Sequence, residues 1–150
     1  MDNKAKYPDP QGNPETSHFW EQAKQGKLLF KRCTACGEAH YFPRSLCPFC
    51  FSDSTVWEES SGEGEIYALS LMRKSADGPY AIGYVTLKEG PSLLTNFVDC
   101  DMTKLKIGQK VKVVFKPTGT APLPFFTNAV TFPASSVISD AISSEPLVLF

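Results

Sequence analysis

Four cysteines, Cys33, Cys36, Cys47 and Cys50, fall within 18 residues as two Cys-x-x-Cys pairs separated by ten residues. A Cys-x-x-Cys turn aims two sulfurs at one ion, and two such turns complete a tetrahedral shell of thiolates. A shell closed by four sulfurs leaves no position for water, so the chemistry is structural binding of one zinc ion per chain, not zinc catalysis. Gly37 follows Cys36 and supplies the positive φ that such a turn often needs. Phe51 stands at the equivalent place after Cys50, so the second knuckle is expected to turn slightly differently. A redox dithiol would sit in a βαβ setting, which these residues lack. Structural zinc contributes on the order of 10–16 kcal/mol in small peptides, more than a ribbon this short gains by burial.

The other reactive side chains do not assemble a catalytic set. His18 falls in a helical stretch and His40 between the cysteine pairs, where four thiolates leave it no ligand role. Cys100 lies between Asp99 and Asp101, whose charges oppose a thiolate, so it reads as a half-buried thiol. Glu58, Glu59, Glu63 and Glu65 read as solvated turn charge. Gly62-Glu63-Gly64 is too short to cradle a phosphate and leads into a strand. No catalytic residue is assigned. Lys24, Lys27, Lys31 and Arg32 gather near the first knuckle, with Arg44 across the hairpin and Arg73-Lys74 beyond the first barrel strand. A solvated basic face and an anchor for a phosphorylated ligand both fit them.

These residues need a scaffold, and the pattern is mainly β. Residues 1–15, with Pro8, Pro10 and Pro14, read as a flexible lead. Thr16 or Ser17 caps a helix ending near Gly26, whose apolar stripe (Phe19, Trp20, Ala23) is thin enough to require another surface. The helix and an entry strand take residues 16–32, and a rubredoxin-like zinc ribbon takes 33–57. Five strand signals follow over 60–132, at 65–71, 80–87, 93–98, 110–116 and 125–132, separated by Gly and Pro turns. Five short strands with no helix between them suggest a small antiparallel barrel, of which the oligonucleotide/oligosaccharide-binding (OB) fold is the commonest five-stranded candidate, with a small sandwich as the alternative. Residues 133–150 form an apolar tail that closes a core or docks on a partner.

Composition narrows the function. Hydrophobic residues make up 42% and charged residues 21%, with a net charge of −1 and a pI near 6.1. That balance counts against nucleic-acid binding, which relies on a basic excess. No run of about 18 apolar residues marks a membrane span. The polar N-terminal residues lack a signal-peptide core, so a cytoplasmic, reducing location is expected.

The order of motifs resembles a known family. Phe19-Trp20-Glu21, Gly26-Lys27-Leu28, Cys33-x-x-Cys36-Gly37, Phe42-Pro43-Arg44 and Cys47-Pro48-x-Cys50 come first. Gly62-x-Gly64-x-Ile66-Tyr67, Tyr80 to Val85, Leu94-Thr95-Asn96 and Ile107-Gly108-x-x-Val111 follow. Over about residues 16–130 this is similar to the zinc-ribbon/OB-fold family of acyl-CoA-associated proteins, long labelled a domain of unknown function. The resemblance implies a non-catalytic accessory subunit in a hetero-oligomer with a thiolase-fold enzyme, such as a benzoylsuccinyl-CoA or acetoacetyl-CoA thiolase. It also implies coenzyme A or acyl-CoA as ligand of the complex, with Lys31, Arg32, Arg44 and Arg73 as candidate phosphate contacts. Pairing with an acyl-CoA hydratase or a side-chain retro-aldolase is one alternative. A nucleic-acid-binding OB module is another, and it requires exposed aromatics on a basic barrel face.

Overall fold

The computed structural model describes residues 7–128, so the expected tail and the end of the expected fifth strand lie outside the described residues. A short helix α1 (Ser17–Ala23) leads into a three-stranded sheet formed by β1 (Leu29–Cys33), β2 (Ala39–His40) and β3 (Thr55–Glu59), in the order β2-β1-β3. A closed barrel follows, built from β4 (Glu63–Met72), β5 (Tyr80–Leu87), β6 (Ser92–Phe97), β7 (Lys110–Lys116) and β8 (Leu123–Asn128), in the order β4-β5-β6-β8-β7. A one-turn 3-10 helix (Met102–Lys104) joins β6 to β7.

Four of the five neighbouring barrel pairs are antiparallel, but β6 and β8 run parallel where Phe97 faces Phe126. The wholly antiparallel expectation fails at this pair for a simple reason. An odd number of strands around a closed ring cannot reverse direction at every step. The long-range β4–β7 pairing closes the ring and leaves β6 and β8 as the parallel pair.

α1 stops at Ala23, three residues before Gly26, which closes the turn that follows with a φ of 78°. The Gly26 N–H donates to Ala23 O at 2.9 Å and the Lys27 N–H to Gln22 O at 3.0 Å, the paired bonds that commonly close a helix. Thr16 stands at the N-cap, but its hydroxyl turns back to Asn13 instead of forward to the helix. Phe19 and Ala23 are the helix residues that bury, with the Phe19 ring edge-on to Tyr41 at 5.8 Å. The helix therefore finds its second surface on the ribbon. Phe19, Leu28 and Leu29 join Ile66, Val85, Leu93, Phe97, Val111 and Phe126 in one continuous core, so ribbon and barrel are not independent packing units.

The reading of residues 1–15 as a flexible lead is corrected over its second half. Tyr7 packs edge-on against Phe125 at 4.9 Å, and the Asp9 carboxylate accepts from the Gly119 N–H at 2.6 Å. Glu15 accepts from the Ser45 N–H at 2.7 Å. Each contact joins residues far apart in sequence, which local composition does not report. The acidic stretch is likewise on strands, not turns: Glu58 pairs with Arg32 at 2.9 Å, Glu63 with Lys88 at 3.6 Å and Glu65 with Lys110 at 2.8 Å.

Candidate metal centre and its surroundings

Two hairpin turns build the candidate centre. In the first, the Gly37 N–H donates to Cys33 O at 2.9 Å and the Cys33 N–H to Glu38 O at 2.9 Å. The second repeats this pattern, with Phe51 N–H to Cys47 O and Cys47 N–H to Ser52 O, both at 2.8 Å. Phe51 adopts φ 64° where Gly37 adopts 82°, so the second knuckle turns like the first, against expectation. Backbone donors face the sulfurs: Cys36 N lies 3.5 Å from Cys33 Sγ and Phe49 N lies 3.3 Å from Cys47 Sγ.

The donor set fits a tetrahedral ion. Zinc–sulfur bonds of about 2.3 Å place the sulfurs of a regular tetrahedron about 3.8 Å apart. Across the two knuckles, Cys33 Sγ lies 3.6 Å from Cys50 Sγ, as Cys36 Sγ does from Cys47 Sγ. All four ligand atoms fall within 4.8 Å of one another, and none of the cysteines is in a disulfide. Cys33 and Cys47 are buried while Cys36 and Cys50 are exposed, so the site opens to the surface along one edge.

Backbone donors, burial and the crowding of the thiols together set their proton affinities. The Cys36 backbone N–H lowers Cys33 to about 7. The Glu38 backbone N–H acts the same way on Cys36, but burial and the adjacent thiols of Cys47, Cys50 and Cys33 outweigh it and raise Cys36 to about 12. Without a cation, one thiolate forms at the cost of its neighbours. A divalent ion reverses that preference and releases protons as it binds.

The four basic residues expected to touch phosphate are not brought together. Lys31 lies on the same side as Arg44: both charges act on Glu15, whose carboxyl is held below its usual range first by the Ser45 N–H and then by these two cations. Lys31 Nζ also donates to Thr55 Oγ1 at 3.3 Å and sits 4.7 Å above the Trp57 ring. Arg32, next along β1, is engaged elsewhere, by Glu58 and by Gly37 O at 3.1 Å. Arg73 follows the end of β4 remote from the ribbon, about 30 Å along a ten-residue strand from Glu63. His40, opposite Lys31, is buried and its Nε2 accepts from the Arg44 N–H at 3.3 Å. Burial, then the Lys31 charge, lowers its proton affinity. Burial is also the first cause raising the Cys100 thiol, ahead of Asp99 and Asp101.

Two sets of exposed apolar side chains were not recognised as surface patches in the sequence. Phe42, Leu46, Phe49 and Phe51 surround the metal knuckles. Tyr67, Met72, Tyr80, Tyr84 and Leu94 lie on the outside of the barrel. The available signal was the absence of charge from YAIGYVTL and SLLTNF.

Comparison with known proteins places these features in a family. Residues 20–56 match the ChsH2 rubredoxin-like zinc ribbon domain and residues 57–116 the ChsH2 C-terminal OB-fold domain. A DUF35 domain-containing scaffold protein of Methanothermobacter thermautotrophicus is 31% identical over 109 residues, covering 68% of this chain and 82% of that protein. A "probable enoyl-CoA hydratase alpha subunit" of Thermomonospora curvata is 33% identical over 112 residues; the match covers 72% of this chain but only 35% of that subunit. Among solved structures, a chain of the Ltp2-ChsH2(DUF35) aldolase superposes with a TM-score of 0.72 at 31% identity, over 81% of this chain and all of that one. A DUF35-family protein of Sulfolobus solfataricus shares the fold, with a TM-score of 0.56 at 22% identity over 67% of this chain and 78% of its own.

Proposed function

Because the chain belongs to the DUF35 family of zinc-ribbon and OB-fold scaffold proteins, we propose that it is a non-catalytic subunit of a thiolase-type acyl-CoA complex. In this role it holds one structural zinc ion, works in the cytoplasm, helps shape the acyl-CoA site and stabilises the assembly for thiolytic C–C cleavage or acyl transfer. The observation that carries the subunit part of this reading is the likeness over a whole chain of the Ltp2-ChsH2(DUF35) aldolase, whose name joins a DUF35 protein to an enzyme. The chemistry agrees: the four clustered thiols are placed to close one metal shell, and His40 is buried with its Nε2 engaged.

The four cysteines lock the ribbon and so present β1 and the Phe42–Ser45 loop in fixed positions relative to the barrel. Lys31 and Arg44 on this frame are the candidate contacts for coenzyme A phosphates. Binding energy at such remote groups positions a thioester for a reaction carried out by the partner. Arg32 and Arg73 are weaker candidates, the first because Glu58 engages it and the second because it stands apart.

A second reading, that the partner is a hydratase or a side-chain retro-aldolase, is favoured by the hydratase subunit and the aldolase among the relatives. It keeps the acyl-CoA role and changes the reaction. A nucleic-acid role is disfavoured because the exposed barrel aromatics lie on an uncharged face. The test is reconstitution of the catalytic subunit with and without this chain. Acyl-CoA turnover that needs both chains supports the proposal. Full turnover by the catalytic subunit alone, with no change in the KM for acyl-CoA, contradicts it.

A further inference from the structure

The outer surface of the barrel is divided by strand. On β7 the outward positions include Lys110, Lys112 and Lys116, as expected for an antiparallel strand with one face in water. On β8 the chain covers its own apolar surface, with Tyr7 against Phe125. The face of β4, β5 and β6 follows neither pattern.

Register defines that face. Ala68, Tyr84 and Leu94 form one row across the three strands, and Ser70, Ile82 and Asn96 form the next. Met72 and Tyr80 make a third. The irregularity in β4 between Ile66 and Ala68 leaves Tyr67 71% exposed beside the first row. The alternate positions, Val85, Leu93 and Phe97, are buried in the core. Both sides of these strands are thus largely apolar, a pattern otherwise seen where a sheet is covered on both faces. Across three strands, about 10 Å from β4 to β6 at ordinary strand spacing, these rows contain no Lys, Arg, Asp or Glu.

We infer that the outer face of β4–β5–β6, centred on Tyr84 and Leu94, is the seat of an uncharged, apolar surface of the catalytic partner subunit. The inference rests on the subunit reading above. The occupant follows from charge: phosphate-bearing ligands and nucleic acid need cations that this face lacks, and a charged protein surface would be desolvated against it without a counter-ion. Exposed aromatics and leucine in a contiguous apolar patch mark a protein interface, with tyrosine as the usual anchor. The nearby Lys88–Glu63 and Lys110–Glu65 pairs put a charged rim on the ribbon side of the patch.

The experiment uses the full chain co-expressed with the catalytic subunit that co-purifies with it from the native host. A photo-crosslinking amino acid replaces Tyr84, and Lys112 on β7 serves as the control position. Crosslinks from position 84 to apolar residues of the catalytic subunit, and none from position 112, are expected. Leu94→Lys should weaken the complex at least tenfold while zinc content and Tm stay within error of the wild type. Crosslinks to a second copy of the chain, to its own residues 129–150 or to nucleic acid would each overturn the inference, as would no crosslink. A complex of unchanged affinity in Leu94→Lys would also overturn it, while leaving the subunit reading intact. Failure of the wild-type chains to associate would instead overturn both.

Discussion

Phe51 adopts a backbone conformation that L-residues other than Asn and Asp avoid, at a cost of about 1–2 kcal/mol. It does so because the second knuckle must direct its N–H back to Cys47 O, as Gly37 does for Cys33. Phe51→Gly is therefore expected to retain one zinc per chain and stabilise the ribbon by up to about 1 kcal/mol, the relief of strain being partly offset by a freer unfolded chain. Thermal unfolding with a zinc assay checks this; loss of zinc would show that the ring, not the turn, holds the knuckle. Cys36→Ser or Cys50→Ser should empty the site and unfold the ribbon, read as loss of bound zinc and of protection in amide exchange over β1–β3. The ligands were legible from the sequence because their spacing is local. Their common target follows from two short turns and one hairpin. The basic residues were not, since alternation along β1 sends Lys31 over the Trp57 ring and Arg32 toward Glu58. In the assembled complex, Lys31→Ala and Arg44→Ala should raise the KM for acyl-CoA several-fold with kcat little changed, whereas unchanged kinetics would remove them from the site.

At the scale of elements, one feature is built into the barrel wall and a second ties the barrel to the segment that follows β3. The first is the irregularity in β4, which brings Ala68 O to 2.1 Å from where a Cβ on Gly83 would stand. Backbone cannot yield there as a side chain can, so Gly83→Ala is expected to destabilise the barrel by several kcal/mol or prevent soluble expression. A variant with near-wild-type denaturant midpoint would contradict the close approach. The second is Glu89 in the β5–β6 turn, whose carboxylate accepts from Ser60 Oγ at 2.8 Å and from the Ser61 N–H at 2.7 Å. Partial burial opposes its charge, but these donors prevail and the carboxyl lies below its usual range. With the folded value depressed, the clamp is fully present above the unfolded value and is lost as pH falls through the folded one. A carbon-detected NMR titration should place the Glu89 midpoint below that of a free glutamate, and Glu89→Ala should cost about 1–2 kcal/mol at pH 7. A midpoint at or above the free value would remove the clamp.

On the scale of the whole molecule, the order of helix, ribbon and five-stranded barrel was legible because hydrophobic runs and Gly or Pro turns are local signals. The parallel β6–β8 pair was not, because it follows from ring closure. Nor was the packing of residues 7–15, which depends on contacts such as Asp9 with Gly119. The apolar face of β5 and β6 was visible in the sequence as strands without charge, yet periodicity alone could not say which side remained uncovered. One measurement bears most directly on the central claim. The tagged chain is purified from its native host under mild conditions, co-eluting chains are identified by mass spectrometry, and zinc is assayed in the same fraction. A stoichiometric thiolase-fold partner with about one zinc per chain is the expected result. Elution of the chain alone, or with nucleic acid in place of an acyl-CoA enzyme, would contradict it.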